Sequence, residues 1–75
     1  MEEETLDLRG LKCPLPALMA HRALARLPPA SMITILASDP LAVVDIPHMC
    51  GEEGHKVESV TSHKDHCVFR IRRSG

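Results

Sequence analysis

The segment Cys67-Val68-Phe69-Arg70-Ile71-Arg72 puts Cys67, Phe69 and Ile71 on one side of an extended chain and Arg70 and Arg72 on the other. A strand patterned this way buries one face and leaves the other in water. The rest of the chain cannot cover a second face. It has 75 residues, 44% of them hydrophobic, enough for one small domain spanning residues 1–75. A core of that size rarely supplies more than roughly 3–5 kcal/mol of net stability. The fold is therefore expected to be a sheet covered on one side only.

The covering layer is legible from period and punctuation. Residues 5–9 alternate apolar and polar as a half-buried strand, and Gly10 ends it. Residues 14–27 read as a helix with Pro near its start and Pro28-Pro29 as its stop. Its core-facing arc is Pro16, Met19, Ala20, Ala23, Leu24 and Leu27. Residues 32–37 are apolar nearly throughout, as in a central strand. Ser38-Asp39-Pro40 offers an N-cap followed by Pro at the first helical position, and the second helix runs to about Glu53, with Gly54 as its stop. Pro47 is expected to kink that helix or divide it into two short turns. Val43, Ile46, Pro47 and Cys50 would form its inner face. Residues 55–62 and 67–72 are strands around the turn His63-Lys64-Asp65. The resulting class is α/β (α+β), a two-layer βαβαββ sandwich with two helices on one face of a four-stranded mixed sheet.

Charge and composition exclude several partners. Nine Lys and Arg against ten Asp and Glu give a net charge of −1, unlike a basic nucleic-acid module. Phe69 is the one aromatic residue, so no platform exists for stacking bases. No apolar run approaches the roughly 20 residues of a membrane span. Met1-Glu2-Glu3-Glu4 is acidic where a signal peptide would be basic and then apolar. The expectation is a cytoplasmic protein with no membrane partner and no sequence-specific nucleic-acid partner. Glu2-Glu3-Glu4 reads as a frayed end, and Arg70, Arg72 and Arg73 as a solvated face rather than contacts to RNA phosphates.

Three cysteines, Cys13, Cys50 and Cys67, with no Cys-x-x-Cys spacing read as free thiols rather than a disulfide scaffold. The group Cys50, His55, His63, His66 and Cys67 fits no zinc-binding spacing, and His66 and Cys67 should point to opposite faces of a strand. No metal is expected. Cys50 and Cys67 fall on inward positions and read as core. Asp45 reads as a cap for the segment after Pro47.

Cys13 differs from the others. With Pro14 as the first helical residue, Cys13 would be the N-cap, where Ser, Thr, Asp or Asn serve stability better. Pro14 and Pro16 remove two N–H groups from the first turn and leave Leu15 and Ala17 as donors near the sulfur. A thiolate there would be favoured by the positive helix end and by Lys12. From spacing alone, an activated nucleophile and a small buried thiol ahead of a helix remain equally open.

The run Leu6-Asp7-Leu8-Arg9-Gly10-Leu11-Lys12-Cys13-Pro14-Leu15-Pro16 resembles the Cys-Pro-x-Pro region of the TusA (SirA-like) sulfur-carrier family. Asp39-Pro40, then Asp45-Ile46-Pro47 and Cys50, supply a second match. The resemblance spans essentially the whole chain. It implies that Cys13 accepts sulfane sulfur as a persulfide and relays it, with Lys12, Pro14 and Pro16 supporting the thiolate and no cofactor required. The implied partners are a cysteine desulfurase or rhodanese-type donor and a downstream acceptor protein. Leu15 stands between the prolines where some members carry an acidic residue, so the pathway stays open among tRNA thiolation, molybdenum-cofactor enzymes and sulfur oxidation. The alternative function is a regulatory or adaptor module that binds a partner without thiol chemistry. On the helical wheel, Leu15, Leu18, Arg22 and Arg26 lie opposite the core arc, an apolar centre with a basic rim suited to a docking partner bearing an acidic patch.

Overall fold

The computed structural model describes residues 3–74 and carries the elements β1 (Glu4–Asp7), α1 (Leu15–Arg26), β2 (Met32–Ala37), α2 (Ala42–Glu53), β3 (Lys56–Ser62) and β4 (Cys67–Arg72). The strands form one sheet in the order β1-β2-β4-β3. β1 runs parallel to β2, while β4 is antiparallel to both β2 and β3. Each helix thus connects two parallel strands, and both crossovers step across the sheet in the same direction. Crossovers of one hand stepping the same way place their helices on the same face. The expected two-layer sandwich is what forms.

The core follows the alternation of the central strands. Ile33, Ile35 and Ala37 of β2 stand opposite Ile71, Phe69 and Cys67 of β4, and all but Cys67 are buried. Pro16, Ala20, Ala23 and Leu24 cover them from α1, as the wheel predicts. Met19 lies at the rim of that arc and is exposed, and Leu27 is half-buried. In α2 the inner face is Ala42, Ile46 and Cys50, so Val43, placed inside by the sequence pattern, is exposed. Ala42, Ile46 and Cys50 recur at i, i+4 and i+8 along one face, which leaves Val43 on the next position round the helix and outward. Pro47 does not divide the helix, which is assigned as one element from Ala42 to Glu53. Gly54 ends it in the left-handed conformation, φ 81°, with its N–H on the Cys50 and Gly51 carbonyls.

The open face is charged and paired. Arg70 Nη2 meets Glu3 Oε2 at 2.6 Å, and Arg72 Nε meets Glu58 Oε2 at 3.0 Å. Glu3 and Glu4 are therefore not a frayed end: Glu4 opens β1 and Glu3 anchors on Arg70. Met1 and Glu2 lie outside the described residues. Arg73 does not join this face. It turns back and donates from Nε to the Leu24 carbonyl at 2.7 Å, an oxygen that also accepts the Leu27 N–H at the end of α1.

Such a core has no redundancy. Phe69→Ala is expected to cost about 3–5 kcal/mol, comparable with the whole net stability of a domain this size, and so to leave the chain largely unfolded. Leu18→Ala, at a side chain 52% exposed, is expected to change stability by no more than about 0.5 kcal/mol. Urea denaturation followed by circular dichroism distinguishes the two.

Candidate functional site

Parallel pairing of β1 and β2 brings their C-terminal ends to the same edge of the sheet. The loop after β1 and the start of α2 therefore lie side by side, the usual place for sites in sheets of this kind. The Asp7 carboxylate accepts bonds from the Arg9 backbone N–H, Nε and Nη2, and this pairing holds its pKa down to about 2. Gly10, at φ 91°, turns the chain and donates its N–H to Ser38 Oγ at 2.8 Å. These contacts deliver Cys13 to the edge.

There the structure departs from the sequence reading. Cys13 is not the N-cap of α1. Pro14 occupies that position, Leu15 is the first helical residue, and no side chain caps the helix. The Leu15 N–H donates to the Lys12 carbonyl at 2.8 Å and so does not serve the sulfur. Instead the Cys13 backbone N–H donates to Asp39 Oδ2, and the Cys13 thiol donates from Sγ to Asp45 Oδ2 at 3.0 Å. Asp39 also accepts the Leu41 N–H on Oδ1 at 3.2 Å, bracing the turn that opens α2. Ala42, not Pro40, is the first residue of that helix.

Asp45 thus has a different job from the cap that the sequence suggests. It sits in the first turn of α2, where the helix end favours a carboxylate, and it reaches across to the sulfur. The electrostatic consequence is opposite in sign to the expectation from Lys12 and the α1 terminus. The hydrogen bond to Asp45, some desolvation, and the charges of Asp45 and Asp39 together raise the Cys13 pKa above its ordinary value. The contact favours the thiol over the thiolate.

Cys13 opens onto a cleft of about 370 Å³ between the helices. Ala17, Leu18 and His21 line it from α1, and Asp45, His48, Met49 and Glu52 from α2, with Pro14 beside the sulfur. Of the docking residues read from the wheel, Leu18 lies on this wall, and Leu15, Arg22 and Arg26 are exposed but outside the cleft lining. Lys12 is exposed as well. The α2 wall was missing from the sequence reading. Its one signal was an aspartate in the first turn of a helix that starts at the end of a strand parallel to β1.

The other cysteines are placed differently. Cys50 is fully buried, and burial pushes its thiol up to about 11. Cys67 is half-buried, with its sulfur 3.7 Å from Ser62 Oγ. Stacked rings of His63 and His66, 4.8 Å apart, mark the β3–β4 turn. Among the described residues no group of three or more His, Cys, Asp or Glu side chains is placed to hold a metal ion. Nor is any helix among them long and apolar enough to cross a membrane.

Fold and site define a small two-layer α/β protein presenting one exposed cysteine at the mouth of an interhelical cleft. The model of the family described as "Sulfurtransferase TusA" matches residues 4–73. A putative sulfur carrier protein of Neisseria meningitidis is 47% identical over 55 residues, 73% of this chain and 74% of that protein. The sulfur carrier protein TusA of Pseudomonas syringae pv. tomato is 32% identical over 71 residues, 95% of this chain and 84% of its own length. The crystal structure of a SirA-like protein from Desulfitobacterium hafniense superposes with a TM-score of 0.82 at 24% identity, covering 99% of this chain and 100% of that one. That last likeness establishes the fold. The chain belongs to the TusA family of sulfur carriers.

Alkylation by iodoacetamide across a pH series reads the thiols directly. Because its pKa is raised, Cys13 is expected to react slowly at neutral pH and to gain rate through a midpoint above that of an ordinary thiol. Cys50 is expected to react only when denaturant exposes it. Peptide mapping of the labelled protein assigns each rate.

Proposed function

We propose that residues 1–75 act as one sulfur-carrier domain in the cytoplasm and that Cys13 Sγ is the atom that carries the sulfur. The observation behind this reading is exposure: Cys13 is exposed, Cys50 is buried and Cys67 is half-buried. A relay needs its sulfur reachable by two different proteins in turn, and Cys13 stands at an open edge. The Cys13 thiolate attacks the outer sulfur of a persulfide on a cysteine desulfurase or rhodanese-type donor. One S–S bond forms, the donor's S–S bond breaks, and the donor leaves as a thiolate that takes up a proton. Cys13 is then a persulfide. A cysteine of the acceptor protein attacks that outer sulfur by the same exchange, and Cys13 returns to a thiol. No net oxidation occurs, and no cofactor takes part.

Pro14 and Pro16 fix the chain on either side of Leu15 and start α1 immediately after the sulfur. Partners approach along the exposed side of α1, where Leu15 and Leu18 offer apolar contact and Arg22 and Arg26 a basic rim for an acidic patch. Leu18→Ala is expected to slow transfer severalfold without unfolding the domain. Arg22→Glu is expected to slow it and to flatten its dependence on salt, because steering is weakened.

Mass spectrometry after incubation with a cysteine desulfurase and cysteine tests the assignment. The expected result is one added sulfur on the peptide containing Cys13, lost in a folded Cys13→Ser protein. Loading that survives Cys13→Ser overturns it, and no loading on any cysteine favours an adaptor that binds partners without thiol chemistry.

A further inference from the structure

Two carboxylates crowd the sulfur of a protein whose task needs a thiolate. Asp45 Oδ2 accepts the Cys13 thiol proton at 3.0 Å, and Asp39 Oδ2 accepts the Cys13 backbone N–H. Among the described residues neither Asp39 nor Asp45 has an ion-pair partner. The charged and titratable groups facing the sulfur's cleft are His21 from α1 and Asp45, His48 and Glu52 from α2. His48 Nε2 lies 3.6 Å from Glu52 Oε2, so Asp45 is the carboxylate of that lining with no cationic side chain beside it. Lys12, next to Cys13 in the chain, forms no ion pair with either aspartate. The site as it stands hydrogen-bonds its nucleophile as a thiol and leaves Asp45 without a cationic neighbour at the edge where a partner would dock.

We propose that Asp45 latches Cys13 as an unreactive thiol and that a cationic side chain of the docking partner, an arginine or lysine entering the cleft against Asp45, releases it. This rests on the relay reading and names the partner's chemistry at the reacting edge. The basic rim of α1 meets acidic groups of the partner, while the cleft beside the sulfur takes a positive one. Neutralising Asp45 removes both the thiol's hydrogen-bond acceptor and the charge that opposes the thiolate. The thiol proton then passes to water, and the thiolate attacks the donor persulfide with the bond changes given above. The same neutralisation helps on the way out, because a leaving thiolate departs faster when its pKa is lower. Away from a partner, the latched thiol resists alkylation and oxidation, which both depend on thiolate character.

The test measures Cys13 alkylation by iodoacetamide, an uncharged reagent, and so needs no sulfur donor. Its outcome is independent of whether sulfur loads at all. Asp45→Asn is expected to speed alkylation at neutral pH about fivefold, the factor that one charge about 4 Å away makes in water, and to move the pH midpoint down. Asp45→Glu, which keeps the charge, is expected to stay closer to wild type than Asp45→Asn does. A tetra-arginine peptide at fixed ionic strength is expected to speed alkylation of the wild type, with no acceleration in Asp45→Asn and none from tetra-glutamate. Circular dichroism establishes that each variant is folded. An unchanged or higher midpoint in folded Asp45→Asn overturns the latch. Tetra-arginine that fails to accelerate the wild type, or that accelerates Asp45→Asn equally, overturns the cationic release.

Discussion

Everything at the reactive edge depends on the parallel pairing of β1 with β2. Antiparallel neighbours would send the end of β1 and the end of β2 to opposite edges. Parallel pairing brings Asp7 beside Leu36 and the loops that follow onto a common edge. Only then can Gly10 bond Ser38, Cys13 bond Asp39, and the Cys13 sulfur reach Asp45. The crossover that parallel pairing requires is α1 itself, so the same constraint that sets the sheet also starts a helix next to the sulfur and forms one wall of the cleft.

The architecture could be read from the sequence because it rests on local patterns. The alternation in residues 67–72 established a one-sided sheet, and the apolar residues of residues 32–37 marked a central strand. Small and large apolar residues at helical spacing marked the inner arc of α1, and Gly54 supplied the stop of α2. In α2 the pattern misplaced the face by one residue. Val43 reads as core by its spacing to Ile46, Pro47 and Cys50, yet Ala42, one and two helical turns ahead of Ile46 and Cys50, is the residue that packs inside. Glu3 was read as part of a frayed end because its anchor, Arg70, is 67 residues away.

The site was legible only in part, for the same physical reason. Cys13 was conspicuous as a poor residue for a helix start, but Pro14 takes the N-cap and Cys13 lies exposed one residue ahead of it. Its electrostatics were misjudged because Lys12 and the helix end are neighbours in the chain, whereas Asp45 is 32 residues distant. A local dipole favours the thiolate by a fraction of a kilocalorie at an exposed site. A carboxylate in hydrogen-bond contact outweighs it. With Pro14 as the N-cap the sulfur also stands one residue outside the helix, and the Leu15 N–H is taken by the Lys12 carbonyl.

A carrier with one working sulfur makes a stoichiometric claim, and cyanolysis of sulfane sulfur measures it most directly. The Cys50→Ala, Cys67→Ala double variant keeps Cys13 as its sole thiol. After incubation with a cysteine desulfurase and cysteine, then removal of small molecules, the account predicts close to one cyanide-reactive sulfur per chain, equal to wild type. A double variant that folds but loads nothing while the wild type loads would contradict it, because the sulfur would then reside on Cys50 or Cys67.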